Sequence, residues 1–438
     1  MPSSSCAISR LWLSFKRAAN GDCLVGFGSQ HEPMNDVTSP WSGSLAGNAA
    51  MRTCIIAGSH PPLICGIGDY TAPLALALHR LGVRATLLVS PSCIPHGHES
   101  LPYELVSVRS WSLGHLAGIA SLVRKCEPNV VHFIYPARAY GYSLSPILLP
   151  YILVVLGYPV VLTLHEFKMA HVMRKLADII LMLPMNGVLV PSSGERDAIA
   201  RFFPPLASKV RVSTAGPTIR PSWLSESERM RLRERLGIDR GEFVVAYFGF
   251  VHPHKGTSVA LMAFRRLIEL VPNSRMMLIG EFEPHENPYH RSILRLSHEL
   301  GIYGKLLWMG AQPNETVSHL LQACDAALLP FPDGASTRRG TLIVCVQHGL
   351  PVVTVRGEAE VERRFGRALL LVDSPDDSDG MAEKLASLYS GMLEELKRAA
   401  LSAVPSWEEA WNEIARHTIS LYGEALSHKR RKLLHRKR

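Results

Sequence analysis

Three short segments combine glycines, hydroxyls and cations in a way that suits an anionic ligand. The first is Cys65-Gly66-Ile67-Gly68-Asp69, between an apolar run and a helical pattern. Glycines such as Gly66 and Gly68 let backbone approach a ligand, and a helix N-terminus offers unpaired N–H groups to an anion. A dinucleotide fingerprint would need glycine at Thr71 and an acid where Leu88-Val89-Ser90 stands, so NAD binding is disfavoured. A tight strand-to-helix turn explains the same residues. The second segment runs from Gly249 to Thr257, GFVHPHKGT. Lys255 there is a compact cation beside a helix start, suited to a diphosphate; otherwise it is a surface lysine near a turn. His252 and His254 have no third ligand in view, so a metal site is not expected. The third segment runs from Phe331 to Thr341, FPDGASTRRGT. Ser336, Gly340 and Thr341 suit a loop that wraps an anion, and Arg338 and Arg339 add charge-assisted donors. Solvated arginines at an exposed helix start are the plainer account.

The elements that must hold these loops alternate along the chain from Met51. CIIAG (54–58) reads as a buried strand. After the glycine loop, Leu74, Ala77, Leu78 and Leu81 share a helical face, with Asp69 or Thr71 as caps. VRATLLV, a helix over 112–126, and VVHFI follow. Leu144–Leu164, LSPILLPYILVVLGYPVVLTL, is long enough to cross a bilayer, but Gly157 and Pro159 split it into a helix and a strand of a core. Farther on, a connecting helix over 231–238 precedes strands at 243–249, 275–280, 305–310, 325–330 and 351–355. Helices from Thr257 and near 288–300, 315–323 and 338–348 separate those strands, and a last helix spans 407–422. This alternation predicts an α/β chain with two Rossmann-like, doubly wound domains in tandem and a ligand cleft between their sheets.

The chain has 438 residues, 47% apolar and 19% charged, which excludes disordered, collagen-like and disulfide-scaffold classes. Its formal charge of +9 is concentrated at one end: seven basic residues and no acid lie between Lys429 and Arg438, and +2 remains without them. This basic tail is read in two ways, as a solvated end or as a peripheral contact with anionic lipid. Nucleic acid is not expected as a partner, because no aromatic-basic interleaving accompanies the tail. The eight cysteines form no CxxC pair and read as thiols of a reducing compartment. Residues 1–50 lack periodicity and are expected to be a disordered extension or an over-long start. The expected domains are 51–220 and 221–404, then a crossover helix over 405–426 and the tail over 427–438.

These segments together resemble a retaining glycosyltransferase of the GT-B fold, family 4 (group 1) type, over about Met51 to Leu426. YFGFVHPHKG resembles the family's GRLxxxKG segment. LLWMGAQPNETVSHLLQACDAALLPF, HGLPVVT and PSWEEAWNEIARHTISLY resemble its later runs and final helix. CGIGDYTAPLALAL, VVLTLHEF and VLVPSSGERD resemble its first-domain segments. The resemblance implies transfer of a sugar from a UDP- or GDP-linked nucleotide-diphosphate sugar to a glycan or lipid-linked acceptor. It also implies retention of configuration, no metal, and a cytoplasmic place in polysaccharide biosynthesis; the lipid reading of the tail, at the inner membrane face, would suit a lipid-linked acceptor. The donor would lie on the second domain and the acceptor on the first. Lys255 would hold the diphosphate and Gly249 would open its loop. The Gly66–Gly68 loop would approach the phosphates or the acceptor, and His165 would lie near the reacting sugar.

Two departures from the family pattern stand out. The arginine expected five residues before the lysine is Phe250, and the Glu-x7-Glu pair falls at Ser336 and Val344. Arg338 or Arg339 is expected to replace the missing cation. The missing glutamates keep a second reading open: an inactive GT-B protein acting as a binding or partner subunit. A third reading is another GT-B enzyme, such as a nucleotide-sugar epimerase.

Overall fold

The computed structural model describes residues 51–63, 66–94, 101–135 and 137–436, with backbone alone for 137, 138 and 432–436. The expectations for residues 1–50, for Cys65 and for the end of the basic tail lie outside the described residues.

The first sheet contains β1 (Arg52–Gly58), β2 (Arg84–Val89), β3 (Glu104–Ser107), β4 (Val130–Tyr135), β5 (Val160–Leu164), β6 (Gly187–Val190) and β7 (Val210–Val212). All pairs are parallel, in the order β3-β2-β1-β4-β5-β6-β7. The second contains β8 (Phe243–Phe248), β9 (Ser274–Ile279), β10 (Leu306–Gly310), β11 (Ala326–Leu329), β12 (Val352–Val355) and β13 (Leu369–Val372). Its order is β10-β9-β8-β11-β12-β13, again parallel. The central strands are mostly apolar and almost wholly buried because helices cover both faces of each sheet.

The helices between strands of the first sheet are α1 (Gly68–Arg80), α2 (Leu116–Lys125), α3 (Ser145–Val155), α4 (Val172–Met182) and α5 (Ser193–Phe202). α6 (Glu226–Arg235) leads into the second sheet. There α7 (Thr257–Leu270), α8 (Pro288–Glu299), α9 (Asn314–Gln322), α10 (Gly340–Gln347), α11 (Ala359–Phe365), α12 (Ser378–Ser387) and α13 (Leu393–Ala403) follow. The chain order reverses direction between β1 and β4 and between β8 and β11. Ligands of such sheets bind outside the strand ends at these switch points. The Gly66–Gly68 loop follows β1. Lys255 follows β8, and Arg338 and Arg339 follow β11, so the second-domain cations flank one switch point.

The last helix, α14 (Trp407–Arg436), returns to the first sheet. Its Trp411 indole donates to the Pro217 carbonyl at 2.9 Å, and a Cβ on Gly216 would collide with that ring. Tyr422 meets His132 of β4 at 2.8 Å, and His132 also contacts the Thr163 hydroxyl at 2.8 Å.

Four expectations are corrected. Neither Asp69 nor Thr71 caps α1: Ile67 occupies the cap, and the Thr71 hydroxyl donates back to the Ile67 carbonyl at 2.7 Å. The connecting helix is α6, which starts earlier, at Glu226, because Ser225 and Glu228 form a capping box there. The crossover helix does not stop at 426. No glycine or proline follows, and α14 continues through the basic run to Arg436. Leu144–Leu164 does divide into α3 and β5, but α3 is not enclosed by the core. Leu149 and Leu153 are buried, whereas Leu148, Val154 and Val155 are exposed.

Candidate active site

The second-domain side begins where β8 ends. Gly249 has φ +136°, and a Cβ there would press on Thr341 at 3.3 Å. The chain then makes one short turn, in which the His252 ring accepts from the His254 amide at 3.3 Å. Gly256 follows at φ +69°, and a Cβ on it would lie 1.9 Å from the Pro330 carbonyl oxygen. Only glycine permits that approach. It seats Lys255 against the loop after β11, with Nζ 5.4 Å from the centre of the Phe331 ring. The Arg339 guanidinium lies over the same ring at 4.4 Å. Burial, then Arg339 and Arg338, push the Lys255 ammonium down to about 8, with Asp333 opposing.

Asp333 holds both guanidiniums. Arg338 Nη2 donates to it at 2.7 Å, and Arg339 Nη2 donates to its other oxygen. Arg338 also faces Glu195 of the first domain, 3.9 Å away. Arg338, Asp333, Ser336, Lys168, Gly357 and Glu358 line a cavity of about 260 Å³. Several buried polar atoms near these loops have no hydrogen-bond partner within the protein: Arg339 Nε, Ser336 Oγ, Thr341 Oγ1 and Glu195 Oε1. Buried polar atoms left this way await a ligand or water.

The first-domain side is set by β5 and α5. His165 immediately follows β5, with the Tyr70 ring of α1 edge-on at 4.6 Å. Its Nε2 is buried without a partner, and burial pushes the imidazole down to about 4, so it is neutral at pH 7. The turn after it is pinned by Glu195, which accepts from the Phe167 amide at 2.8 Å and the Lys168 amide at 2.7 Å. Gly68 packs closely, since a Cβ would meet the His60 backbone at 3.2 Å, while a Cβ on Gly66 would meet open space.

The structure thus gathers Lys255 and Arg339 around Phe331 and Gly249 against Thr341, with Arg338 held at Asp333 and Ser336 on the adjoining cavity. His165 stands apart on the first sheet beside Tyr70. Gly340 starts α10, its Cβ direction 3.9 Å from Thr218. Phe250 is exposed, and Val344 is fully buried in the apolar core, so neither offers a polar group. Asp333, Glu195, Lys168 and Glu358 escaped sequence reasoning. A signal existed for one of them: Ser192 and Glu195 have capping-box spacing. The Ser192 hydroxyl does accept the Glu195 amide at 3.3 Å, but the carboxylate turns to residues 167 and 168 instead. Glu358 joins the domains, accepting from the Ser192 hydroxyl at 3.1 Å and the Thr337 amide at 3.4 Å.

Comparison with known proteins accords with this arrangement. Residues 242–391 match the family model "Glycosyl transferases group 1". The D-inositol 3-phosphate glycosyltransferase of Stackebrandtia nassauensis is 22% identical over 246 residues, 55% of this chain and 54% of that protein. That of Mycobacterium sp. (strain KMS) is 27% identical over 223 residues, 50% of this chain and 48% of that protein. The chain therefore spans about half the length of the curated relatives it matches. The structure of Anabaena HepE with UDP and glucose superposes with a TM-score of 0.67 at 18% identity, covering 84% of this chain and 99% of that one. Sucrose-phosphate synthase from Thermosynechococcus elongatus gives 0.65 at 16% identity, covering 86% and 100%. The chain has the GT-B fold, and its residues 242–391 match the group 1 glycosyl transferase model.

Proposed function

We propose that this protein transfers a sugar, with retention, from a UDP- or GDP-linked donor to a glycan or lipid-linked acceptor. The observation that carries the reading is the convergence of Lys255, Arg338 and Arg339 at one switch point, beside buried hydroxyls without partners. Cations fixed in a partly dry site stabilise the negative charge of a departing diphosphate. They supply that charge from side chains, so the reading requires no metal. Neutral His165 would hydrogen-bond the reacting sugar through Nε2. The UDP bound by the Anabaena protein supports a nucleotide donor. The reading expects the protein in the cytoplasm, in peripheral contact with the inner membrane face.

Calorimetry of UDP and GDP binding tests the role of the arginines. Arg339→Ala and Arg338→Ala are each expected to weaken the preferred nucleotide about tenfold, or 1.4 kcal/mol. A change below about twofold in both removes the arginines from the site. One observation favours a second reading, binding without transfer: Val344 is buried in the apolar core where the family has a carboxylate. A panel of nucleotide sugars separates the two. Transfer predicts release of nucleoside diphosphate, and a binding subunit predicts a raised melting temperature with no turnover.

A further inference from the structure

One surface outside the donor site is apolar. α3 and α4 lie side by side, tied by the Tyr151 hydroxyl donating to the Ile180 carbonyl at 2.7 Å. Their inner faces fill the core, but their outer faces are apolar as well. Val155 is 85% exposed, Met173 70% and Val172 63%, and Leu148, Leu156 and Ile180 continue the face. A surface helix in water turns polar residues outward, and a contiguous exposed apolar face marks a contact surface. Among the described residues, no helix is long and apolar enough to cross a membrane. The remaining lipid geometry is a helix pair lying in the interface plane.

Charge identifies what covers this face. Between residues 137 and 186 the only carboxylates are Glu166 and Asp178. Asp178 is buried, and Glu166 is half-buried and acts on Arg339 across the cleft. Lys168 precedes α4, Lys175 lies within it with its ammonium over the Phe167 and Phe202 rings, and α2, packed against α3, ends in Arg124 and Lys125. A second copy docked about a two-fold axis would set these cations against their own copies. Anionic headgroups would pair with them. Tyr142 and Tyr151, both exposed, supply rings suited to a headgroup boundary.

We propose that α3 and α4 dock the protein on an anionic phospholipid bilayer, apolar faces in the interface and cations at the headgroups. This surface lies on the opposite face of the first sheet from α14, so it does not depend on the basic end of that helix. Lys168, which lines the cavity beside Arg338, immediately precedes exposed Met169. A docked chain therefore opens its cleft toward the lipid. The docking itself stands independently of the transfer reaction.

The test is co-sedimentation of the full chain with vesicles of phosphatidylcholine containing about one-third phosphatidylglycerol. The wild-type chain is expected to sediment with them and less with phosphatidylcholine alone. Val155→Asp with Met173→Asp is expected to weaken binding at least about tenfold. Both side chains are mainly exposed, and circular dichroism checks the fold. Val155→Ser with Met173→Ser gives a graded loss if the aspartate pair aggregates. Neutralising Lys429, Arg430 and Arg431 to Gln should leave most binding intact. Absence of wild-type binding, unchanged binding in both apolar variants, or loss through the α14 substitutions alone overturns the proposal. So does a wild-type dimer that the aspartate pair makes monomeric, with no vesicle binding.

Discussion

Charge held close to a low-dielectric wall sets the behaviour of the individual site residues. Lys255 is held down to about 8 by burial and by two guanidiniums. It is charged below that pH and loses its proton as pH rises through it. A diphosphate favours the charged form, so apparent affinity should fall above pH 8, by up to about tenfold per unit. Calorimetry of UDP between pH 7 and 9 measures this. Lys255→Arg, which stays charged throughout, should flatten the profile. A profile as steep in Lys255→Arg as in wild type would assign the titration elsewhere. Asp333 acts the other way: it engages both arginines in the free protein and so competes with an anionic ligand. Asp333→Asn should tighten nucleoside diphosphate binding several-fold, about 1 kcal/mol. Weaker binding instead would show that Asp333 positions the arginines for the ligand.

Between elements, one carboxylate ties together the strands that border the second switch point. Asp325, just before β11, accepts from the Val244 amide of β8 at 2.8 Å. It also accepts from Arg233 Nη1 at 3.2 Å and Arg229 Nη2 at 3.0 Å, both on α6, and faces Lys397 of α13 at 3.7 Å. Arg233 is itself buried, so removing the carboxylate strands a charge in the core. Asp325→Ala should cost about 3–5 kcal/mol in denaturant unfolding, and Asp325→Asn, which keeps the amide contact, clearly less. Most strands were legible because doubly covered parallel strands are short apolar runs bounded by Gly and Pro, whereas β3, β6, β7 and β13, of three or four residues each, were not. Lys255, Arg338 and Arg339 were legible because they follow such runs. Their organisers were not, because Glu195 is distant in sequence from Arg338 and shows only as a cap pattern. Nor was the bare side of α3: a helix apolar all round reads as buried, and only packing reveals which side lacks cover.

Across the whole molecule, buried histidines predict the response to acid. His132 is pushed down to about 3, and His165 and His348 to about 4, each mainly by burial; His60 shifts the same way. An unfolded chain would take up protons at these rings below about pH 6.5, whereas the folded chain refuses them until lower pH. Their stabilisation is present above pH 6.5 and is lost as pH falls toward 4. Asp69, raised to about 6, and Asp178, raised to about 7, act oppositely. Burial makes them keep protons in the fold that they release on unfolding above about pH 4. The balance leaves an uptake of roughly one to two protons on unfolding, so stability should fall by about 1–3 kcal/mol per pH unit below 6.5. Denaturant midpoints at pH 7, 6 and 5 and constant ionic strength measure this. Asp178→Asn removes one opposing group and should steepen the fall. His132 joins β4 to Tyr422 of α14, whereas His348 lies in the second domain, contacting Val344 and Ser318 at 2.8 and 2.9 Å. Acid should therefore loosen both domains together. A midpoint unmoved between pH 7 and 5 would mean that the two aspartates balance the histidines completely, against the net uptake argued from their environments.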